Sequence, residues 1–142
     1  MRGQFNSFPS FLARLDIDHV GYLTRNLPSF QPEDNPAEYT VGEVKAFDCV
    51  CCLIGRFEYV VPKGGPLLKR LREVGDSLHH VAFRVQHIEK LSRMLRDQGI
   101  HLLLDDPVKG LPPMEKVNFI RPKYFGILVE LVERADHAKN AS

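Results

Sequence analysis

The chain has 142 residues, 44% of them hydrophobic and 26% charged, a globular composition that fits one domain and excludes an intrinsically disordered chain. Its net charge of +1 supplies no broad field for nucleic acid or an anionic membrane, and no run approaches the roughly 20 apolar residues needed to span a bilayer. A cytoplasmic protein with neither a nucleic-acid nor a membrane partner is expected.

MRGQFNSFPSFLARL, at the N-terminus, has a proline and polar residues inside its apolar stretch. It reads as a lead-in to about residue 14, not as a secretory segment. The first strand is expected over Ile17 to Leu23. Residues 26–38, NLPSFQPEDNPAE, carry three prolines and read as loop or at most one helical turn. Strand-like residues run from Tyr39 to Val44 and from Phe47 to Ile54. A turn at Gly55 leads into Phe57 to Val61, which Pro62, Gly64 and Gly65 end. Pro66 and LLKRLREV predict a helix, with Pro66 in its first turn and Gly75 after its last. Cys49, Cys51 and Cys52 form an odd-numbered run that matches no zinc spacing. Free, buried thiols are the plain reading.

Leu78 to Val85 is the next expected strand. Ile88, Leu91, Met94 and Leu95 recur at helical spacing, and Gly99 follows as a C-terminal cap. Strands are expected at Ile100 to Leu104, at Val117 to Ile120 and at Ile127 to Glu133. A loop, DDPVKGLPP, and a turn beginning at Arg121-Pro122-Lys123 separate them. The tail ADHAKNAS is expected to fray. The second half thus runs strand, helix, three strands, and the first half repeats that order with a weakened helix. DHVGYLT resembles HHVAFRV, and RFEYVVP resembles ILVELVE, which points to an internal duplication. The expected fold is α+β in a single domain over 1–142: one βαβββ module over 16–62 with a degenerate helix, a linker helix over 66–75, and a second module over 77–133.

Strand side chains alternate between faces. His19 and Gly21 oppose Val20 and Tyr22. Glu58 and Val60 oppose Phe57, Tyr59 and Val61. His80, Ala82 and Arg84 oppose His79, Val81, Phe83 and Val85, so His79 falls on the helix-packed face and reads as structural. Glu130 opposes Val129 and Leu131. Four candidate ligands, His19, Glu58, His80 and Glu130, therefore stand opposite the apolar faces of four strands. Gly21 and Ala82, each two residues past a histidine, leave room for something to bind. Two imidazoles and two carboxylates suit zinc, cobalt, manganese, iron or nickel. Taken singly, a strand histidine or glutamate is more often a solvated or hydrogen-bonded group. The repeated His…Glu pairing is what joins them.

The segments DHVGYLT, LHHVAFRVQHIEKLSRMLRDQGIHLLLDDP, KVNFIRPK and ILVELVE resemble the vicinal-oxygen-chelate superfamily, and within it the methylmalonyl-CoA epimerase branch. The similarity is close over 76–133 and thinner over 16–62. It implies two βαβββ modules forming a curved mixed sheet around a central cleft, often paired as a homodimer. It implies a divalent metal held by His19, Glu58, His80 and Glu130. It also implies a second-strand glutamate as acid/base partner, which counting back from Glu58 places at Glu43, with Glu130 serving on the other side. The implied activity is that of a metal-dependent isomerase or lyase stabilising the enolate of a small acyl substrate, acyl-CoA thioesters among the candidates. A non-catalytic binder of small molecules of the antibiotic type, and a glyoxalase or dioxygenase on the same scaffold, are the alternatives. The Pro-rich 26–38 segment replaces a long family helix, RPKYFG is shorter than the family's HPKSTGG, and FEYVVP lacks the family's second glutamate. The first two changes fall where a substrate would be held.

Overall fold

Runs rich in β-branched and aromatic residues favour a pleated, half-buried surface, and the described runs of this kind at Phe57–Pro62 and Ile127–Arg134 are strands. The structure, a computed structural model, describes residues 8–29, 39–124 and 126–135. Most of the Pro-rich segment, at 30–38, and the C-terminal tail from residue 136 lie outside the described residues, as does the start of the lead-in. The elements in chain order are α1 (Phe8–Leu12), β1 (Asp16–Leu23), β2 (Tyr39–Val44), β3 (Cys49–Ile54), β4 (Phe57–Pro62), α2 (Gly65–Val74), β5 (Ser77–Arg84), α3 (Ile88–Asp97), β6 (Met114–Tyr124) and β7 (Ile127–Arg134).

The strands form one curled mixed sheet in the order β2-β3-β4-β1-β5-β7-β6. β1 runs parallel to β4, and β5 parallel to β7. The antiparallel β1–β5 pair joins the two halves at the centre. Each half has a first strand at the centre and its parallel partner outside it; β3 and β2 follow in the first half, and β6 alone in the second. The βαβββ-like order expected from the sequence has this form, with a single Leu102–Ile120 bridge standing where the second half's outermost strand was expected.

Three local expectations are corrected. Ile100 to Leu104 is not a regular strand; only Leu102 bridges Ile120, and Leu103 N–H donates to Phe119 O. Side chains take the place of the ladder there. The Asn118 amide exchanges two hydrogen bonds with the backbone of Leu104, at 3.1 and 3.0 Å, and the Arg96 guanidinium donates to the carbonyls of Leu104 and Asp105. Arg121-Pro122-Lys123 does not begin a turn: β6 runs on to Tyr124, and the reversal falls at Gly126, whose φ of 77° suits glycine. Residues 45–47 form a 3-10 turn, so β3 starts at Cys49.

The helices form as the spacing predicts. α2 has Pro66 in its first turn and Gly75 at its end, with Leu71 buried and Leu67 and Leu68 packed beside it. α3 buries Ile88, Ser92 and Leu95 at helical spacing. Its first N–H, on Ile88, is capped by Glu133 Oε1 from β7 at 2.8 Å. The core lies in two parts. Leu23, Val60, Leu71, Val117 and Val132 belong to the part that includes α2. Leu12, Ile88, Leu95, Ile120 and Leu131 form the other, which α1 and α3 join.

Candidate metal centre

The central strand pair sets two histidines across from two small residues. In the β1–β5 register His80 lies opposite Gly21 and His19 opposite Ala82. Gly21 is also beside Glu58 on β4, and Ala82 beside Glu130 on β7. Each histidine is thus brought across the local two-fold to the glutamate of the other half. The small residues serve this crossing. A Cβ at Gly21 would meet the His80 ring at 2.1–2.5 Å, far inside van der Waals contact. The space predicted beside Gly21 is filled by the opposing imidazole.

His19, Glu58, His80 and Glu130 are all buried, and one donor atom from each lies within 4.8 Å of the others. The two Nε2 atoms are 3.2 Å apart. Glu58 Oε1 is 3.4 Å from His19 Nε2 and 3.2 Å from His80 Nε2; Glu130 Oε1 is 3.0 and 3.3 Å from the same atoms. Donors about 2.1 Å from a common ion are spaced by roughly 3.0 Å at an octahedral edge and roughly 3.4 Å at a tetrahedral one, and these distances fall in that window. Glu130 Oε1 is buried and, beyond those two ring nitrogens, meets no hydrogen-bond donor among the described residues, a shortfall that a cation would satisfy. Nitrogen and carboxylate oxygen are the donor types that zinc, cobalt, manganese, iron and nickel accept. The four residues form a group that could hold a metal ion.

Each imidazole is oriented through its other nitrogen. His19 Nδ1 is 2.7 Å from Asp18 Oδ2, and His80 Nδ1 is 2.8 Å from His79 Nδ1. Both partners sit one residue before the histidine, where alternation would turn them away. Register shifts explain the exception. The pairing of β1 with β5 skips Asp18 on one strand and His79 on the other, and a bulged residue of this kind re-aims its side chain. His79 is therefore not on the opposite face as the sequence suggested; it is buried and lines the same cavity as His80. The HH and DH pairs were the available signal, but strict alternation hid their meaning.

Asp18 is fully enclosed and also accepts from Arg84 Nε at 3.0 Å and Arg134 Nε at 2.6 Å. Burial pushes its carboxyl up, but His19 and Arg134 outweigh that and hold it below the usual carboxylate range. For His19, burial disfavours the charged ring, yet Asp18, Glu130 and Glu58 raise its pKa to about 12. Burial likewise raises Glu58, while hydrogen bonds and charge from His19 and His80 bring it down to about 2. The cluster thus balances its charges among its own members.

Glu43 is not brought to this group. Gly42 and Val44 turn inward on β2: a Cβ at Gly42 would touch Leu111, and Val44 lines the cavity. Glu43 points the other way, is exposed, and pairs with Lys63 Nζ at 2.5 Å. That hydrogen bond and charge lower its pKa, the opposite of what a base working near neutrality needs. The count back from Glu58 assumed a register that the 3-10 turn at 45–47 alters.

The metal group opens on a cavity of about 530 Å3 with a mainly apolar wall, within the size range of small-molecule sites. Cys49 and Cys51 line it, their sulfurs 3.7 Å apart, and all three cysteines are free. The Cys49 contact, burial and the nearby glutamates push the Cys51 thiol far up, which makes it an inert wall. No described helix is long and apolar enough to cross a membrane.

No family model matches the chain, and no curated protein matches it. Solved structures do. A methylmalonyl-CoA epimerase in complex with methylmalonyl-CoA and NH4+ superposes with a TM-score of 0.73 at 23% identity, covering 87% of this chain and 97% of that one. The methylmalonyl-CoA epimerase of Mycobacterium tuberculosis gives 0.72 at 24%, covering 88% and 90%. A point variant of the Streptomyces coelicolor epimerase, in complex with 2-nitronate-propionyl-CoA, gives 0.70 at 24%, covering 84% and 96%. This protein has the fold of the vicinal-oxygen-chelate proteins, in the form that the methylmalonyl-CoA epimerases display.

Proposed function

We propose that this protein is a divalent-metal-dependent isomerase or related lyase that moves the α-proton of a small acyl substrate, acyl-CoA thioesters first among the candidates. The observation that carries this reading is the buried His19, Glu58, His80 and Glu130 group at a partly open, mainly apolar cavity. The solved structures of like fold that hold methylmalonyl-CoA or 2-nitronate-propionyl-CoA support it. When bound, a divalent cation supplies a Lewis acid for paired substrate oxygens and for the charge of an enolate. His19 and His80 would be the nitrogen donors, turned by Asp18 and His79, with the cation displacing the proton that the surrounding acids hold on His19. Glu58 and Glu130 supply the compensating charge. Glu130 is the acid/base group: it lines the cavity, and among the described residues its Oε1 faces only the two ligand imidazoles. The mainly apolar walls would limit water at the metal-facing end and strengthen each electrostatic contact there.

Deuterium exchange at the α-carbon of a panel of acyl-CoA thioesters tests the proposal. Exchange that a chelator abolishes and added metal restores is expected; Glu130→Gln lowers it by about 100-fold or more. No exchange on any member by metal-loaded protein overturns it. A second reading, a non-catalytic binder of small molecules, is favoured by one observation: Glu43, the expected second base, lies outside the cavity. Tight ligand binding without any exchange would select that reading.

A further inference from the structure

The cavity wall opposite in character to the metal cluster comes from α2. Gly65, Pro66, Leu67 and Arg70 line it. Leu71 is buried and Leu67 and Leu68 pack on the core, so α2 is anchored and Arg70 is held toward the cavity, one turn beyond Leu67. The Arg70 Nε is buried and has no hydrogen-bond partner among the described residues, and no described acid forms an ion pair with Arg70. Its neighbours Lys69 and Arg72 are exposed, as helix cations ordinarily are. Arg70 itself is half-buried, and the Nε edge of its guanidinium that is withdrawn from water has no counter-charge among the described residues, which is unfavourable. The remaining acid of the wall outside the metal cluster is Asp48. It is exposed, and its Oδ2 lies against Gly64, ahead of the helix. Arg70 is thus a fixed cation in an apolar wall with one hydrogen-bonding edge unused.

We infer that Arg70 is a specificity-determining residue that binds an anionic group, carboxylate or phosphate, carried by the cavity's ligand at a point separate from its metal-facing oxygens. A planar guanidinium meets either oxyanion through two parallel N–H donors. α2 adds to the field: its N-cap, Gly64, offers no side-chain cap, and its first residues line the same wall. The ligand is therefore bipolar, with oxygens at the His/Glu end, an apolar middle against Leu67, Leu111 and Phe119, and a negative group at α2. The inference deepens the proposed function and, for the thioester part of the ligand, depends on it.

The test compares the wild type, Arg70→Met and Arg70→Lys by calorimetry with four ligands: propionyl-CoA, succinyl-CoA and the phosphate-free N-acetylcysteamine thioesters of the same two acids. Arg70→Met is expected to weaken binding about tenfold or more, and Arg70→Lys to restore part of it. Loss confined to the two succinyl esters assigns the acyl carboxylate. Equal loss for both CoA esters, with the cysteamine esters unchanged, assigns a CoA phosphate. Wild-type binding that Arg70→Met leaves unchanged for all four overturns the inference. If no thioester binds the wild type, the thioester reading fails, and succinate and inorganic phosphate decide the arginine alone. A saturable rise in melting temperature that Arg70→Met loses supports the anion site; the same response in wild type and variant overturns it.

Discussion

Asp18 shows how much of the centre depends on a residue that touches no metal. It is buried, accepts from Arg84 and Arg134, and fixes His19 through Nδ1. Removing one partner of such a group leaves buried charge uncompensated, so Asp18→Asn is expected to cost about 3–5 kcal/mol in urea unfolding near neutrality. Its folded pKa lies below the ordinary aspartate value, held there by His19 and Arg134 against the effect of burial. The stabilisation is therefore fully present above that value and is lost as pH falls through the folded one. The difference between wild type and variant should shrink in unfolding series carried below about pH 4; a constant difference would mean that Asp18 is not ionised in the fold. Gly21 poses the steric counterpart. A methyl there cannot coexist with the His80 ring, so Gly21→Ala should weaken metal binding by at least about tenfold in competition with a chromophoric chelator. Unchanged affinity would show that the ring has another place to go.

At the scale of elements, the two bulges separate what the sequence displays from what it conceals. Period-two alternation located His19, Glu58, His80 and Glu130 because each stays in register with its own strand. It failed at Asp18 and His79, since a bulge adds a residue and shifts the faces, and no local propensity marks where it will occur. The strand expected at 100–104 failed for another reason: its apolar residues are real, but Asn118 and Arg96 compete for the backbone groups that a ladder would use. Glu43 was misplaced by a turn whose length the residues do not announce. The helices were legible because proline, glycine and apolar spacing act within a single turn. If the β5 bulge serves to present His79 to His80, then His79→Leu should reduce metal affinity by about 10–100-fold and shift the absorption spectrum of a cobalt-substituted site. His79→Gln, which keeps a polar partner for Nδ1, should recover most of the affinity. Equal loss in both would make His79 a packing residue only. A tertiary cap is a second device of this scale: Glu133→Ala removes the acceptor for Ile88 N–H and should lower stability by about 1–2 kcal/mol, read from thermal unfolding.

For the whole molecule, the relevant fact is that neither half contains a complete donor set. β1 and β4 supply one imidazole and one carboxylate, β5 and β7 the other pair, and the antiparallel β1–β5 seam brings them together. A cation at this seam would tie the halves to each other, but both parts of the apolar core are made of residues other than the four donors. Removal of metal should then lower stability without unfolding the chain, unlike a small zinc domain whose fold is its metal site. Free metal at about 100 times its dissociation constant should add about 2.7 kcal/mol, measured as the unfolding difference between chelator-treated and zinc- or cobalt-saturated protein. His80→Ala should abolish the increment while keeping the circular dichroism of the fold. The increment must vary with the logarithm of metal concentration, because it is binding to the folded state that supplies it. If chelation collapsed the secondary structure, the seam and not the core would be holding the sheet. If the metal-dependent increment survived in His80→Ala, the cation would be binding somewhere other than the meeting point of the two halves.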